Sequence, residues 1–240
     1  MWRSYRKDSH KRQPFRFLIK KNLVYYKAMN FHKKIYHQIK DLIKKQYASS
    51  ELMIVSKNRP VTSIREALNE GAFLFGENKV QEAGIKFEEL RPEYSNIDLH
   101  LIGPLQTNKV KQAMKIFDTI QTVDREKLVK EISKNNSDTV RTKNFYIQIN
   151  IGNEEQKSGI DPEKSEDFYN FSINQGLNVI GLMCIPPNNE NADIYFKKML
   201  DLRDTINPDL LLSMGMSGDY LTALKNQTNL IRIGSKLFDE

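Results

Sequence analysis

The sequence holds a single cysteine, Cys184, in 240 residues. A lone thiol excludes an internal disulfide framework and points to a reducing compartment, so a cytoplasmic location is expected. Long apolar runs are missing too. None approaches the roughly 20 residues that a membrane-spanning helix needs, and no membrane partner is expected. Histidine is scarce: His10, His32 and His37 lie in or near the N-terminal segment, and only His100 lies beyond. One thiol and scattered imidazoles form no ligand set, so no metal site is expected. No expected strand runs into the G-x-G-x-x-G pattern of dinucleotide-binding folds. Acidic residues are depleted in one region only. Residues 1–28 carry nine bases (Arg3, Arg6, Lys7, Lys11, Arg12, Arg16, Lys20, Lys21, Lys27) against the single acid Asp8.

That depletion explains the formal net charge of +7, because the rest of the chain has 28 basic and 29 acidic residues. The basicity belongs to a tail and the body is neutral, so no nucleic-acid partner is expected. The tail has three readings: an organelle-targeting segment, a nucleic-acid-binding arm with aromatics between its charges, or reading frame upstream of a protein that starts at Met29. The third is preferred, because foldable periodicity begins only after it. The expected division is therefore a basic extension over 1–28 and one globular domain over 29–240. Organelle targeting is the alternative location if 1–28 is a presequence. With 39% hydrophobic and 28% charged residues, the body has a globular composition.

Ile35, Ile39, Leu42 and Ile43 recur at helical spacing and predict a helix over 31–46. "LMIV" (52–55) reads as a strand buried on both faces, and it ends in Ser56 and Lys57. In "VTSIREALNEG", Ser63 and Glu66 have capping-box spacing and Gly71 marks the stop. Further strands are expected around 73–75 and at 98–103, 117–123, 145–151, 178–186, 210–215 and 230–234. Helices are expected between them at 79–90, 107–114, 125–135, 162–176, 192–206 and 219–225, with Asp124 capping the helix over 125–135. Eight strands alternating with helices predict a parallel α/β architecture. With the dinucleotide fingerprint absent, a single (β/α)8 TIM-type barrel is expected over an open sheet.

In such barrels the C-terminal strand ends form the active face. They are expected to deliver Lys57 after the first strand, Gly76-Glu77-Asn78 after the second and Gly103 after the third. Asn150 ends the fifth, Met216 and Ser217 follow the seventh, and Gly234-Ser235 follow the eighth. A lysine at the tip of a core-bound strand either emerges into solvent or has chemistry to do. "RIGS" (232–235) puts a glycine and a hydroxyl where backbone N–H groups can approach a phosphate, and Ser217 in "GMSGD" adds another hydroxyl. Plainer readings exist for each, since glycines after strands make turns and Ser217 serves equally as a cap. Arg232, inside the eighth strand, is a permanent cation that needs an acceptor. His100 reads as a hydrogen-bonded structural histidine, Glu77 as a cap or a partner of Lys79, and Cys184 as a small core hydrophobe. A lysine able to lose its proton, a phosphate cup opposite it and an inward arginine together fit pyridoxal 5′-phosphate. The aldehyde would sit on the lysine, the phosphate in the cup and the pyridine nitrogen against the arginine.

The stretches "IVSKNRP", "FGENKVQE", "LHLIGPLQTNKV", "IQINIGNEEQKSGI", "GLMCIP", "LSMGMSGDY" and "IRIGS" occur in this order along the body. On these the chain resembles the pyridoxal-phosphate homeostasis protein family. The resemblance implies a barrel related to the N-terminal domain of alanine racemase. It implies Lys57 as the bearer of a covalent internal aldimine, Ser217, Gly234 and Ser235 as phosphate ligands, and Arg232 facing the pyridine nitrogen. Asn78, Asn150 and Met216 occupy family positions around the pocket. The chain departs from the family in reading "NQT" (226–228) where a Gly-Ser-Thr run precedes strand eight, and in ending at "KLFDE". The shorter end is expected to weaken docking of the last turn and loosen the phosphate cup. Residues 1–28 have no family counterpart.

Two functions compete: a carrier that buffers or delivers pyridoxal phosphate in vitamin B6 homeostasis, and an amino-acid enzyme such as a racemase. An always-charged arginine beside the pyridine nitrogen keeps it unprotonated and weakens the electron sink. Alanine racemase works despite such an arginine, so this alone does not decide. A racemase also needs a second acid/base on the far face of its substrate, in that enzyme a tyrosine from a further β domain of the partner subunit. Seven residues follow Ile233, so no such domain is expected, and the pocket should be open. The expectation is a monomeric carrier with little or no catalysis, with pyridoxal-dependent apoenzymes as acceptors. The racemase-like enzyme is the alternative.

Overall fold

The computed structural model describes residues 30–238 except Asn189, so the basic segment 1–28 lies outside the described residues. Eight strands close into one parallel barrel in sequence order: β1 (Glu51–Val55), β2 (Leu74–Glu77), β3 (Asp98–Leu101), β4 (Thr119–Val123), β5 (Asn144–Ile149), β6 (Val179–Cys184), β7 (Leu211–Ser213) and β8 (Leu230–Ile233). Closure is made by β8 against β1, in register from Glu51↔Leu230 to Ile54↔Ile233. This is the expected (β/α)8 barrel.

α1 (Lys33–Gln46) precedes β1, and α2 (Val61–Asn69), α3 (Val80–Leu90), α4 (Val110–Ile116), α5 (Glu126–Asn135), α6 (Ser165–Asn174), α7 (Ala192–Ile206) and α8 (Tyr220–Lys225) fill the intervals. α1 buries Tyr36, Ile39 and Ile43, the stripe that a 3.6-residue period places on one face. Along β8 the side chains alternate. Ile231 and Ile233 join the core between strands and helices, while Arg232, level with Met53 of β1, faces the interior of the barrel.

Three local expectations are corrected. α2 starts at Val61 with Pro60 as its N-cap and no side-chain cap bond, so Ser63 sits inside the first turn. Glu66 instead accepts a hydrogen bond from the backbone N–H of Phe31 at 2.9 Å and ties the start of the body to α2. Asp124 does not cap α5, whose N-cap is Arg125; the two form an ion pair with each other. The second strand runs past Phe75 to Glu77, because its pairing with β3 continues through Glu77↔Leu101.

Candidate functional site

A cavity of about 680 Å³ opens at the C-terminal ends of the strands. Lys57 lies on its rim, two residues beyond β1, exposed after the buried Ser56. Thus the strand carries the lysine out of the core to the mouth of the barrel. Asn78 enters from the tip of β2, Met216 and Ser217 from the loop after β7, and Gly234 and Ser235 from the turn after β8. Arg232 reaches the same cavity from inside β8. A groove of about 730 Å³ between α3 and α4 lies outside the barrel and contains none of these residues.

The loop carrying Lys57 is anchored from below by charges that the sequence did not pair. Glu77 is fully buried, and its Oε1 accepts from Ser56 Oγ at 2.8 Å and from Lys86 Nζ at 3.0 Å. Lys86 also donates to the Ser56 carbonyl at 2.8 Å and to Glu82 Oε1 at 2.6 Å. Glu82 Oε1 accepts from the backbone N–H of Asn58 at 2.7 Å, the residue after Lys57, which takes φ +57. Residues on both sides of Lys57 are therefore fixed by one buried ion-pair cluster on β2 and α3. Burial pushes the Glu77 carboxyl above the usual carboxylate range, with Lys86 and Ser56 opposing it. The expected partner of Glu77 was Lys79; the partner is Lys86, about two turns further along α3 than the exposed Lys79 at its N-cap.

The opposite wall is built from β7 and β8. Gly234 N–H donates to Ser217 Oγ at 3.4 Å, so the glycine and the hydroxyl expected to share a phosphate lie side by side. Asp219 Oδ1 accepts from Met216 N at 2.6 Å and holds that loop. The last turn, Ser235–Leu237, packs onto the barrel. Leu237 and Phe238 are buried, Phe238 pairs with Phe31, and Arg59 stacks over the Phe238 ring at 5.3 Å. Gly103, beyond β3, gives Asn78 its position: a Cβ there would fall 2.2 Å from the Asn78 carbonyl oxygen. The Asn78 Oδ1 is itself buried without a hydrogen-bond partner.

Arg232 is almost fully buried and finds neutral acceptors: Ser213 Oγ at 2.7 Å and the Cys184 carbonyl at 2.8 Å. Desolvation lowers its pKa from arginine's ordinary value. The Cys184 thiol is pushed up to about 12 by its burial, which suits a core hydrophobe. Asn150 is the one expected site residue that the cavity does not include. It lines an adjoining space that shares Ile102 and Ile185 with the first, and its amide clamps the loop by hydrogen bonds to Glu154 O (2.9 Å) and Glu154 N (3.2 Å). Ser56, Glu82 and Lys86 were missed. Ser56 is the one with a readable signal, as the polar residue beside Lys57.

Residues 32–239 match the family model described as alanine racemase, N-terminal domain. The pyridoxal phosphate homeostasis protein of Aquifex aeolicus is 37% identical over 200 residues, covering 80% of this chain and 87% of that protein. The chain belongs to this family. The Haemophilus influenzae member is 36% identical over 198 residues, covering 78% of this chain and 84% of its own. Among solved structures, PipY of Synechococcus elongatus with PLP bound superposes with a TM-score of 0.72 at 31% identity, over 85% of this chain and 100% of PipY. The alanine racemase of Bacillus anthracis shares the fold, with a TM-score of 0.63 at 17% identity over 86% of this chain and 56% of the enzyme.

Proposed function

We propose that the cavity binds pyridoxal 5′-phosphate at Lys57 and that the protein is a carrier of this cofactor in vitamin B6 homeostasis. The observation that carries the reading is the convergence of Lys57, Ser217, Gly234 and Arg232 on one cavity at the barrel mouth. Its residues fit the cofactor: a primary amine at the rim, a hydroxyl and a backbone N–H side by side, and a buried guanidinium whose hydrogen bonds go to neutral acceptors. When bound, the cofactor supplies an aldehyde that condenses with amines. Lys57 Nζ, exposed at the rim, would hold the cofactor there, within reach of solvent. Ser217, Gly234 and Ser235 would hold the phosphate, and Arg232 would offer its guanidinium donors to the ring, which disfavours a protonated ring nitrogen beside it. The unpartnered Asn78 Oδ1 accepts from the bound group or its water shell, and Met216 packs beside it. Asn150 acts from the neighbouring loop.

The cavity lining also supports carrier over enzyme. Among its described residues the charged groups are Lys57, Arg59 and Arg232, with no carboxylate, imidazole, phenol or thiol. A racemase needs a second proton-transfer group on the far face of the substrate, and besides Lys57 the charged groups of this lining are guanidiniums. The same reading includes a monomer, since exposed large apolar residues (Ile85, Ile173, Ile194, Leu211, Leu221) are scattered over separate elements. It also includes a reducing, cytoplasmic setting and transfer of the cofactor to pyridoxal-dependent apoenzymes. No helix among the described residues is long and apolar enough to cross a membrane.

The test is an absorption titration with pyridoxal phosphate, followed by borohydride reduction and peptide mass mapping. The reduced adduct should map to Lys57 and vanish in Lys57→Ala. An adduct on Lys79 or Lys109 would sink the assignment.

A further inference from the structure

A second set of polar groups lies in the barrel interior beneath the cavity. Arg232 Nη1 donates to Ser213 Oγ at 2.7 Å, and Ser213 donates to Gln121 Oε1 at 2.8 Å. Gln121 Nε2 meets His100 Nδ1 at 2.8 Å, and His100 Nε2 lies 3.2 Å from Asp98 Oδ1. Strands β8, β7, β4 and β3 supply the links. Ser213 and Gln121 are fully buried, and His100 and Arg232 nearly so. Asp98 is half-exposed and lines a small space at the N-terminal ends of the strands, the face opposite the cofactor cavity.

The direction of the chain follows from the chemistry of its ends. A guanidinium has donors only, so Ser213 Oγ accepts from it and spends its own hydrogen on the next acceptor. That acceptor is the Gln121 oxygen, which turns the amide nitrogen toward His100. An amide NH2 only donates, so Nδ1 is the bare nitrogen and the imidazole hydrogen sits on Nε2, facing the Asp98 carboxylate. Every donor points from Arg232 to Asp98. Arginine cannot accept, which fixes the first link, and the Ser213 hydrogen bond to Gln121 Oε1 sets the links beyond it.

We propose that Gln121 is a positioning residue for Arg232, the central link of a one-way relay that fixes the guanidinium under the cofactor and His100 in its Nε2–H form. The links from Arg232 to His100 are buried, so a change in the middle reaches both ends. The cofactor arm of the test rests on the reading of the cavity given above; the arm without cofactor does not.

The experiment is side-chain nitrogen NMR of Arg232 and His100 in the full chain, first without cofactor. The wild type should show His100 with its proton on Nε2. Gln121→Met, similar in volume but without either polar group, should move the Arg232 guanidinium resonances and let His100 populate both tautomers. Gln121→Glu keeps the acceptor for Ser213 and removes the donor to His100. It should return the Arg232 resonances toward wild type while leaving His100 altered, a split that loss of packing alone cannot produce. With pyridoxal phosphate added, Gln121→Met should shift the absorption maximum of the bound form and weaken binding roughly tenfold, and Gln121→Glu should reverse the spectral shift. Ser213→Ala, a smaller truncation, should disturb both ends and serves if Gln121→Met does not fold. Wild-type His100 protonated on Nδ1 instead of Nε2, or Arg232 resonances unmoved in folded Gln121→Met or Ser213→Ala, would overturn the relay. Absence of pyridoxal phosphate binding together with the expected NMR pattern would refute the cofactor reading and leave the relay standing.

Discussion

Lys86 Nζ lies 3.0 Å from Glu77 Oε1, with both side chains closed off from solvent, and the same ammonium group holds the Ser56 carbonyl one residue before Lys57. Breaking such a pair strands the remaining charge. Lys86→Met should cost about 3–5 kcal/mol in urea unfolding. Removing both charges in Glu77→Gln/Lys86→Met should recover part of that loss, because the orphaned carboxylate is gone. Strictly additive single and double variants would show that the two groups are not coupled.

The burial of Glu77 also sets a pH dependence. Its folded pKa is raised, chiefly by desolvation, so the folded chain holds the Glu77 proton more tightly than the unfolded chain. Its contribution to stability is complete below the ordinary carboxylate value of about 4.3 and declines as pH rises through the folded value. The stability difference between wild type and Glu77→Gln should therefore shrink as pH rises from about 4.3 toward neutrality. A difference that widens over that range would mean that Lys86 outweighs desolvation.

Ser217→Ala removes the hydroxyl that faces Gly234 N across 3.4 Å. One charge-assisted hydrogen bond is worth about 1.5–3 kcal/mol, so pyridoxal phosphate should bind roughly ten- to a hundred-fold more weakly. The unfolding midpoint should stay where it was, since the side chain is only partly buried. An unchanged dissociation constant would place the phosphate elsewhere.

Cys184 should be inert. With its thiol pushed up to about 12 by burial, almost no thiolate exists at neutral pH. A thiol-specific disulfide reagent should fail to label the folded protein between about pH 7 and 9, and should label it promptly in urea. Labelling of the folded state that climbs with pH would mean that the sulfur meets solvent.

Incubated with alanine or serine, the loaded protein should racemise or transaminate them no faster than free pyridoxal phosphate, within roughly tenfold. In the same mixture it should still activate a pyridoxal-dependent apoenzyme. Turnover that disappears in Lys57→Ala would restore the enzyme reading.

Most of the site was legible because barrels write it locally. Lys57, Asn78, Ser217, Gly234 and Ser235 each follow a recognisable strand, and one topology brings them together. Arg232 was legible as a cation in need of an acceptor, but its acceptors were not. Ser213 and Gln121 lie 19 and 111 positions away along the chain, inward on strands whose neighbours only the closed barrel defines. Glu77 and Lys86 escaped for a related reason. A separation of nine residues fits no helical or strand period, and the two meet because α3 folds back over the end of β2. Asn150 lines the adjoining space, and its amide bonds to Glu154 within its own loop, a contact that no strand-end rule announces. The capping box failed because Pro60 had already started α2.

Closure of the barrel by its first and last strands has a consequence for synthesis on the ribosome. Until Leu230–Ile233 emerge, the backbone groups of β1 have no partner on that side, and the early strands wait as an open edge. Lys57 is made in the first quarter of the chain, yet Ser217, Arg232 and Gly234 arrive in the last tenth. A nascent or truncated chain therefore carries the amine without its cup. On the proposed function, retention of cofactor is a late mark of barrel closure, and chains stopped before Leu230 should not compete for it with chains that carry β8.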